Sequence, residues 1–170
     1  MTEESTGATE RDRDDGADGA PAQERAVSAT LVGALAGGVA GTAVMALLWF
    51  AARATVAPNL RVFRTLAGLA GAGDDPFLGF VLFVAAGVVA WPLLYVTLGA
   101  YLPGSTRPVQ ATVFALVLWV GFAVAFVGES AENVAAFVAL SVLAHVVYGV
   151  LLGLTIARFT GVYRTPEIRV

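Results

Sequence analysis

Cysteine and lysine are both missing from this 170-residue chain, histidine occurs once, and charged residues make up only 14% of it. Without thiols there can be no disulfide framework, no thiolate zinc site, no cysteine nucleophile and no c-type haem attachment. Without lysine there is no phosphate-binding loop of the Walker type. No nucleophile elbow and no His/carboxylate metal spacing occurs either, and no basic patch is large enough for nucleic acid. A soluble domain carries charge on about a quarter of its residues. Charge this sparse, set against 58% hydrophobic residues and a mean hydropathy of +0.78, leaves too little polar surface to cover the apolar mass. The chain reads as a membrane protein.

The few charges are unevenly placed. Eight of the thirteen acids, Glu3, Glu4, Glu10, Asp12, Asp14, Asp15, Asp18 and Glu24, lie in the first 24 residues, against Arg11 and Arg13. Residues 1–26 contain almost nothing apolar larger than Ala, so they cannot offset the entropy of ordering. They read as a disordered acidic tail, and the remaining residues, 27–170, as the membrane domain. That domain is net positive, so the acidic character of the whole chain belongs to the tail.

Four uncharged intervals follow, 26–52, 76–106, 108–128 and 133–157. Each is long enough to cross about 30 Å of hydrocarbon at about 1.5 Å per residue. None alternates apolar and polar residues at period two, which excludes a β-barrel. The expected fold is therefore all-α, a polytopic bundle of four transmembrane helices over about 27–52, 77–101, 108–128 and 134–157. The first interval is too long, and its leader too acidic, for a secretory signal, although Ala52-Arg53-Ala54 resembles a cleavage site.

Between the first two spans, Leu60, Phe63, Leu66 and Ala67 fall on one helical face and Arg61, Arg64 and Gly68 on another, predicting a short interfacial helix capped by Asn59. Gly71-Ala72-Gly73 should end it, and Asp75-Pro76 should start the second span as N-cap and first helical residue. The hairpin between the last two spans is short. Arginine counts near the span ends set seven on the side of both termini (Arg11, Arg13, Arg25, Arg107, Arg158, Arg164, Arg169) against Arg53, Arg61 and Arg64. Both termini are thus expected in the cytoplasm, in a multi-pass cell-membrane protein.

Helix association in lipid depends on close packing of small residues. Gly33, Gly37 and Gly41 form one such stripe, and Gly149 and Gly153, continuing from Ser141 and His145, form another. These two grooves predict two close helix contacts, either with each other within one chain or with a second copy in a homodimer. Pro92 should kink the second span and free a carbonyl near Val88.

His145 stands mid-span on the second stripe, with Ser141 four residues before it and Tyr148 three after. An ionisable side chain at membrane depth must find a partner or stay neutral. It can be a structural imidazole hydrogen-bonded to a neighbouring helix, a proton relay or ligand contact, or an axial ligand of haem b. A second haem ligand would have to come from a dimer or from Met45, whose expected depth is about a turn and a half away from that of His145. Glu129, Glu132 and Asn133 cluster at the end of the last hairpin. They read either as a cation site or proton-path mouth, or as acids favourable to the dipole of the last helix, with Ser130 as cap. Trp91, Trp119, Tyr95 and Tyr101 read as bundle or interface aromatics, and Arg53 as a snorkelling side chain.

The runs Ala40-Gly41-Thr42-Ala43-Val44-Met45, Gly79-Phe80-Val81-Leu82-Phe83 through Trp91-Pro92-Leu93, and His145-Val146-Val147-Tyr148-Gly149-Val150-Leu151-Leu152-Gly153 resemble a family of small four-helix integral membrane proteins of unknown function common in haloarchaea. The resemblance spans most of residues 27–160. It implies a salt-adapted archaeal cell membrane and marks Thr42, Met45, His145, Tyr148 and Gly149 as pattern positions, without an activity. The expected role is a non-enzymatic accessory or structural component with the lipid bilayer as its partner and no nucleic acid. The alternatives are a small respiratory or electron-transfer subunit with a respiratory-complex partner, using His145 for haem or proton movement, and an oligomeric small transporter.

Overall fold

A computed structural model describes residues 8–55, 61–130 and 134–164. Six α-helices are present among the described residues: α1 (Ala8–Thr55), α2 (Val62–Leu69), α3 (Pro76–Ala85), α4 (Trp91–Leu98), α5 (Arg107–Phe126) and α6 (Val134–Thr160). A π-helical turn, Ala86–Ala90, joins α3 to α4 into one continuous rod. Four stretches are long and apolar enough to cross a membrane: Ala20–Ala54 (span 1), Pro76–Tyr101 (span 2), Arg107–Phe126 (span 3) and Val134–Thr160 (span 4). The chain is a multi-pass all-α membrane protein. No strand occurs among the described residues; Thr106 and Arg164 make a single isolated bridge, and the Arg107 N–H donates to the Tyr163 carbonyl at 3.0 Å.

Helix α1 runs back to Ala8, into the acidic segment expected to be unordered. Propagation from an established helix needs no new nucleus, although Pro21 within the extension supplies no N–H. Residues 20–28 of this extension are all exposed, in keeping with their lack of burial-worthy side chains.

The best-packed seams are α1 against α6 and α5 against α6. Along the first, a Cβ placed on Gly33 would meet the Ile156 backbone, one on Gly37 the Leu152 backbone at 2.9 Å, and one on Gly41 the Tyr148 ring at 2.6 Å. Each step of four up α1 is a step of four down α6, so the two helices are antiparallel. The second glycine pair takes a different neighbour. Gly149 lies on Ala111 and Thr112, and Gly153 on Arg107 and Pro108, all of α5. The two grooves therefore do not face each other: α6 sits between α1 and α5, offering a glycine groove to one and Leu152 and Ile156 to the other.

The short helix α2 is more than an interfacial segment. Val62 and Ala67 are buried while Arg61, Arg64 and Gly68 are exposed, and the Phe63 backbone rests on Gly79 of α3, where no side chain would fit. Phe50, Phe63, Phe80 and Phe83 form a ring cluster around that contact. Asn59 and Leu60 lie outside the described residues. Gly71 and Gly73, both at φ 74°, supply the left-handed turn that ends α2. Asp75 then caps α3, accepting from the Phe77 N–H at 2.8 Å, with Pro76 at the first helical position.

Span 2 is the loosest of the four, with 17% of its apolar window buried against 39% for span 1. It packs on α1 and α2, and comes nearest to α5 at Gly99–Tyr101, with the Tyr95 hydroxyl donating to the Arg107 carbonyl at 3.4 Å. Tyr95 still reaches Phe114 across the gap, at 5.5 Å between ring centroids. Beyond that level spans 2 and 3 diverge.

Candidate functional site

The divergence leaves a cavity of about 370 Å³. Its floor is α1 and α6, contributing Thr42, Met45, His145 and Tyr148, and its walls are span 2 (Phe83, Ala86, Gly87, Trp91) and α5 from Val117 to Phe126. Val62 and Leu66 of α2 close one end. No lining residue is charged. Trp91, Val117, Gly121 and Ala125 are exposed and form a rim facing outward between spans 2 and 3, from mid-span toward the α2 side.

The polar groups on this lining are few and differently engaged. His145 is 7% exposed, and its Nδ1 lies 2.8 Å from the Ser141 carbonyl. A carbonyl can only accept, so Nδ1 carries the proton, and in the neutral ring Nε2 is left with a free lone pair. Nε2 has no hydrogen-bond partner among the described residues. The Phe122 ring flanks the imidazole at 5.2 Å between centroids. The Ser141 hydroxyl itself is used elsewhere, accepting from Trp119 Nε1 at 3.0 Å and donating to the Val138 carbonyl.

Tyr148 points to span 2, where its hydroxyl donates to the Gly87 carbonyl at 2.7 Å. The π-turn explains why that acceptor is available. The Trp91 N–H, which would serve Gly87 in an α-helix, instead reaches back to Ala86, and the residue five beyond Gly87 is Pro92, which has no N–H. The proline effect expected near Val88 thus takes the form of a π-turn, with Gly87 as the carbonyl that needs an outside donor. Small residues let α1 close on this turn: a Cβ on Gly38 would strike Pro92 at 2.6 Å and the Gly87 and Val88 carbonyls at 2.9 Å. Gly87 in turn lies against the Thr42 hydroxyl, which is buried and has no partner.

Met45 is buried and lines the same cavity as His145. The expected depth difference does not hold. The contacts of Gly37 with Leu152 and of Gly41 with Tyr148 fix the register, and one further step of four sets Met45 level with Ala144. The midpoints of the two uncharged intervals lie at different depths because α1 and α6 are offset along their axes. Ser141, His145 and Tyr148 share a helix face; the His145 ring donates to the Ser141 carbonyl, while the Ser141 and Tyr148 hydroxyls bond elsewhere. Glu132 and Asn133 lie outside the described residues, as does the side chain of Glu129, so the hairpin cluster is outside the described site.

A family of unknown function, DUF6789, matches residues 28–167. The chain belongs to this family. The DUF6789 match begins after the acidic segment and takes in span 1 from Ser28 onward, the other three spans and every residue lining the cavity. No curated protein and no solved structure matches the chain.

Sequence reasoning missed Trp91 and Gly121 as rim residues and Val62 and Leu66 as the end wall. In the sequence Trp91 has nothing to distinguish it from other bundle aromatics. The amphipathic face of α2 was the signal available for the end wall; nothing in the sequence told whether that face met lipid or protein.

Proposed function

We propose that this DUF6789 protein is a non-enzymatic accessory component of the cell membrane that holds a lipid-soluble small molecule inside its bundle. The observation that carries this reading is the uncharged cavity over His145. The cavity, about 370 Å³, opens at its exposed rim between spans 2 and 3 at membrane depth. Apolar cavities do not fill with water, so a lipid chain or a dedicated ligand has to occupy it. The volume falls in the range of small-molecule sites, about 300–1,000 Å³, and the sparse polar groups suit orientation of a ligand more than chemistry. Extraction and mass spectrometry of the protein purified in detergent test the reading. One lipophile should be enriched in stoichiometric amount over the surrounding lipid. Recovery of bulk lipid alone, in membrane proportions, would defeat it.

A second reading, a haem held by His145 in a respiratory subunit, is favoured by one feature. The Nδ1–H to carbonyl tie with Nε2 free is the arrangement common to metal-ligating imidazoles, and Met45 reaches the same cavity. Expression with haem available should then give a Soret band that His145→Ala removes, and a colourless protein would rule this reading out.

A further inference from the structure

We infer that the gap between spans 2 and 3 is a lateral portal through which an uncharged, hydroxyl-bearing lipophile passes from the bilayer to donate its hydrogen bond to His145 Nε2. This rests on the ligand-binding reading above and specifies both the head group and the way in.

The head group follows from the donors and acceptors on the lining. Tyr148 has its hydroxyl proton committed to the Gly87 carbonyl, and His145 has its Nδ1 proton committed to the Ser141 carbonyl. Thr42 holds its hydroxyl against Gly87, sealed from the cavity space. Of the acceptors left on the floor, the Tyr148 oxygen already takes part in a hydrogen bond, whereas the lone pair of Nε2, on a residue that is 93% buried, takes part in none. A ligand reaching it has to bring the proton, as an alcohol or phenol does; an ether, an ester or a hydrocarbon cannot. A carboxylate or phosphate head would arrive with no cation on the lining to meet it, and burying an unpaired charge is prohibitive.

The way in follows from the rim. Trp91, Val117, Gly121 and Ala125 are exposed to the surroundings at membrane depth, while the far end of the cavity is closed by α2. Gly121 is the gap's narrowest side chain, and a Cβ built there meets nothing within 4 Å. A large residue at 121 therefore obstructs the portal without clashing with the fold.

The experiment uses the full chain in phosphatidylcholine nanodiscs with three photoreactive probes: hexadecanol bearing a diazirine near its hydroxyl end, the methyl ether of that alcohol, and the parent hydrocarbon. Labelling of Met45 and Phe122 inside the cavity is compared with labelling of Val120 and Val124, which are exposed on α5. The alcohol should label the cavity about three- to tenfold more than the ether, the worth of one net hydrogen bond. His145→Phe should remove that preference, and Gly121→Trp should lower cavity labelling severalfold for all three probes. Equal labelling by alcohol and ether in the unaltered chain, a comparison needing no substitution, would overturn the head-group assignment. Undiminished labelling in Gly121→Trp would overturn the portal. If no probe labels the cavity above the level at Val120 and Val124, ligand binding itself fails, a result distinct from either of the others.

Discussion

The Gly87 carbonyl has no backbone donor within reach of normal helix geometry, because the π-turn diverts the Trp91 N–H and Pro92 lacks one. Its partner among the described residues is the hydroxyl of Tyr148, from the other side of the bundle. Tyr148→Phe keeps the ring that packs on Gly41 and removes only that donor. The expected loss is about 1–2 kcal/mol, between the mean for interhelical membrane hydrogen bonds and the cost of an orphaned buried acceptor. Thermal unfolding in detergent checks it against Tyr101→Phe, a change at an exposed tyrosine that should leave the midpoint unmoved. The residue types concerned were legible in the sequence: His145 as the lone imidazole at membrane depth, Tyr148 and Ser141 at helical spacing around it. Their partners were not. Spacing along one helix puts side chains on a face, but the acceptor that Tyr148 meets is created by an irregularity in a different span.

At the scale of elements, four spans could be read directly, because hydropathy and the positions of charges are local properties. Glycine stripes announced close contacts without naming the neighbours, since a smooth groove accepts any helix that fits. In the fold, Gly149 serves α5 and Gly37 serves α6, and neither can accept a side chain. Gly37→Leu and Gly149→Leu should each markedly lower the unfolding temperature in detergent, whereas Gly121→Leu should not, its Cβ position being open. Equal tolerance at all three positions would refute the packing described. The π-turn makes a finer prediction. In a Pro92→Ala background the new N–H can serve the Gly87 carbonyl, so Tyr148→Phe should cost less there than in the parent. A double-mutant cycle should give a coupling of about 0.5 kcal/mol or more; strict additivity would mean that the tyrosine and the proline are not answering the same vacancy.

The whole molecule's placement in the membrane turns on arginine. Arg25, Arg107, Arg158 and Arg164 lie at one end of the bundle, and Arg53, Arg61 and Arg64 at the other, where Arg64 also pairs with Asp74 at 2.8 Å. An exposed pair of this kind adds little stability, and acids count for little in setting orientation, so the bias toward cytoplasmic termini rests on the arginine count alone. The portal would then open toward the outer leaflet, since its rim runs from mid-span toward the α2 end. The absence of native cysteine makes this testable without background. Single substitutions Asp74→Cys and Ser105→Cys place a thiol at exposed positions on opposite ends of the bundle. In intact cells a membrane-impermeant maleimide should label the first and spare the second until the membrane is permeabilised. The reverse pattern would invert the topology and move the portal to the cytoplasmic leaflet, so a lipophile supplied from outside would have to cross between leaflets before reaching His145.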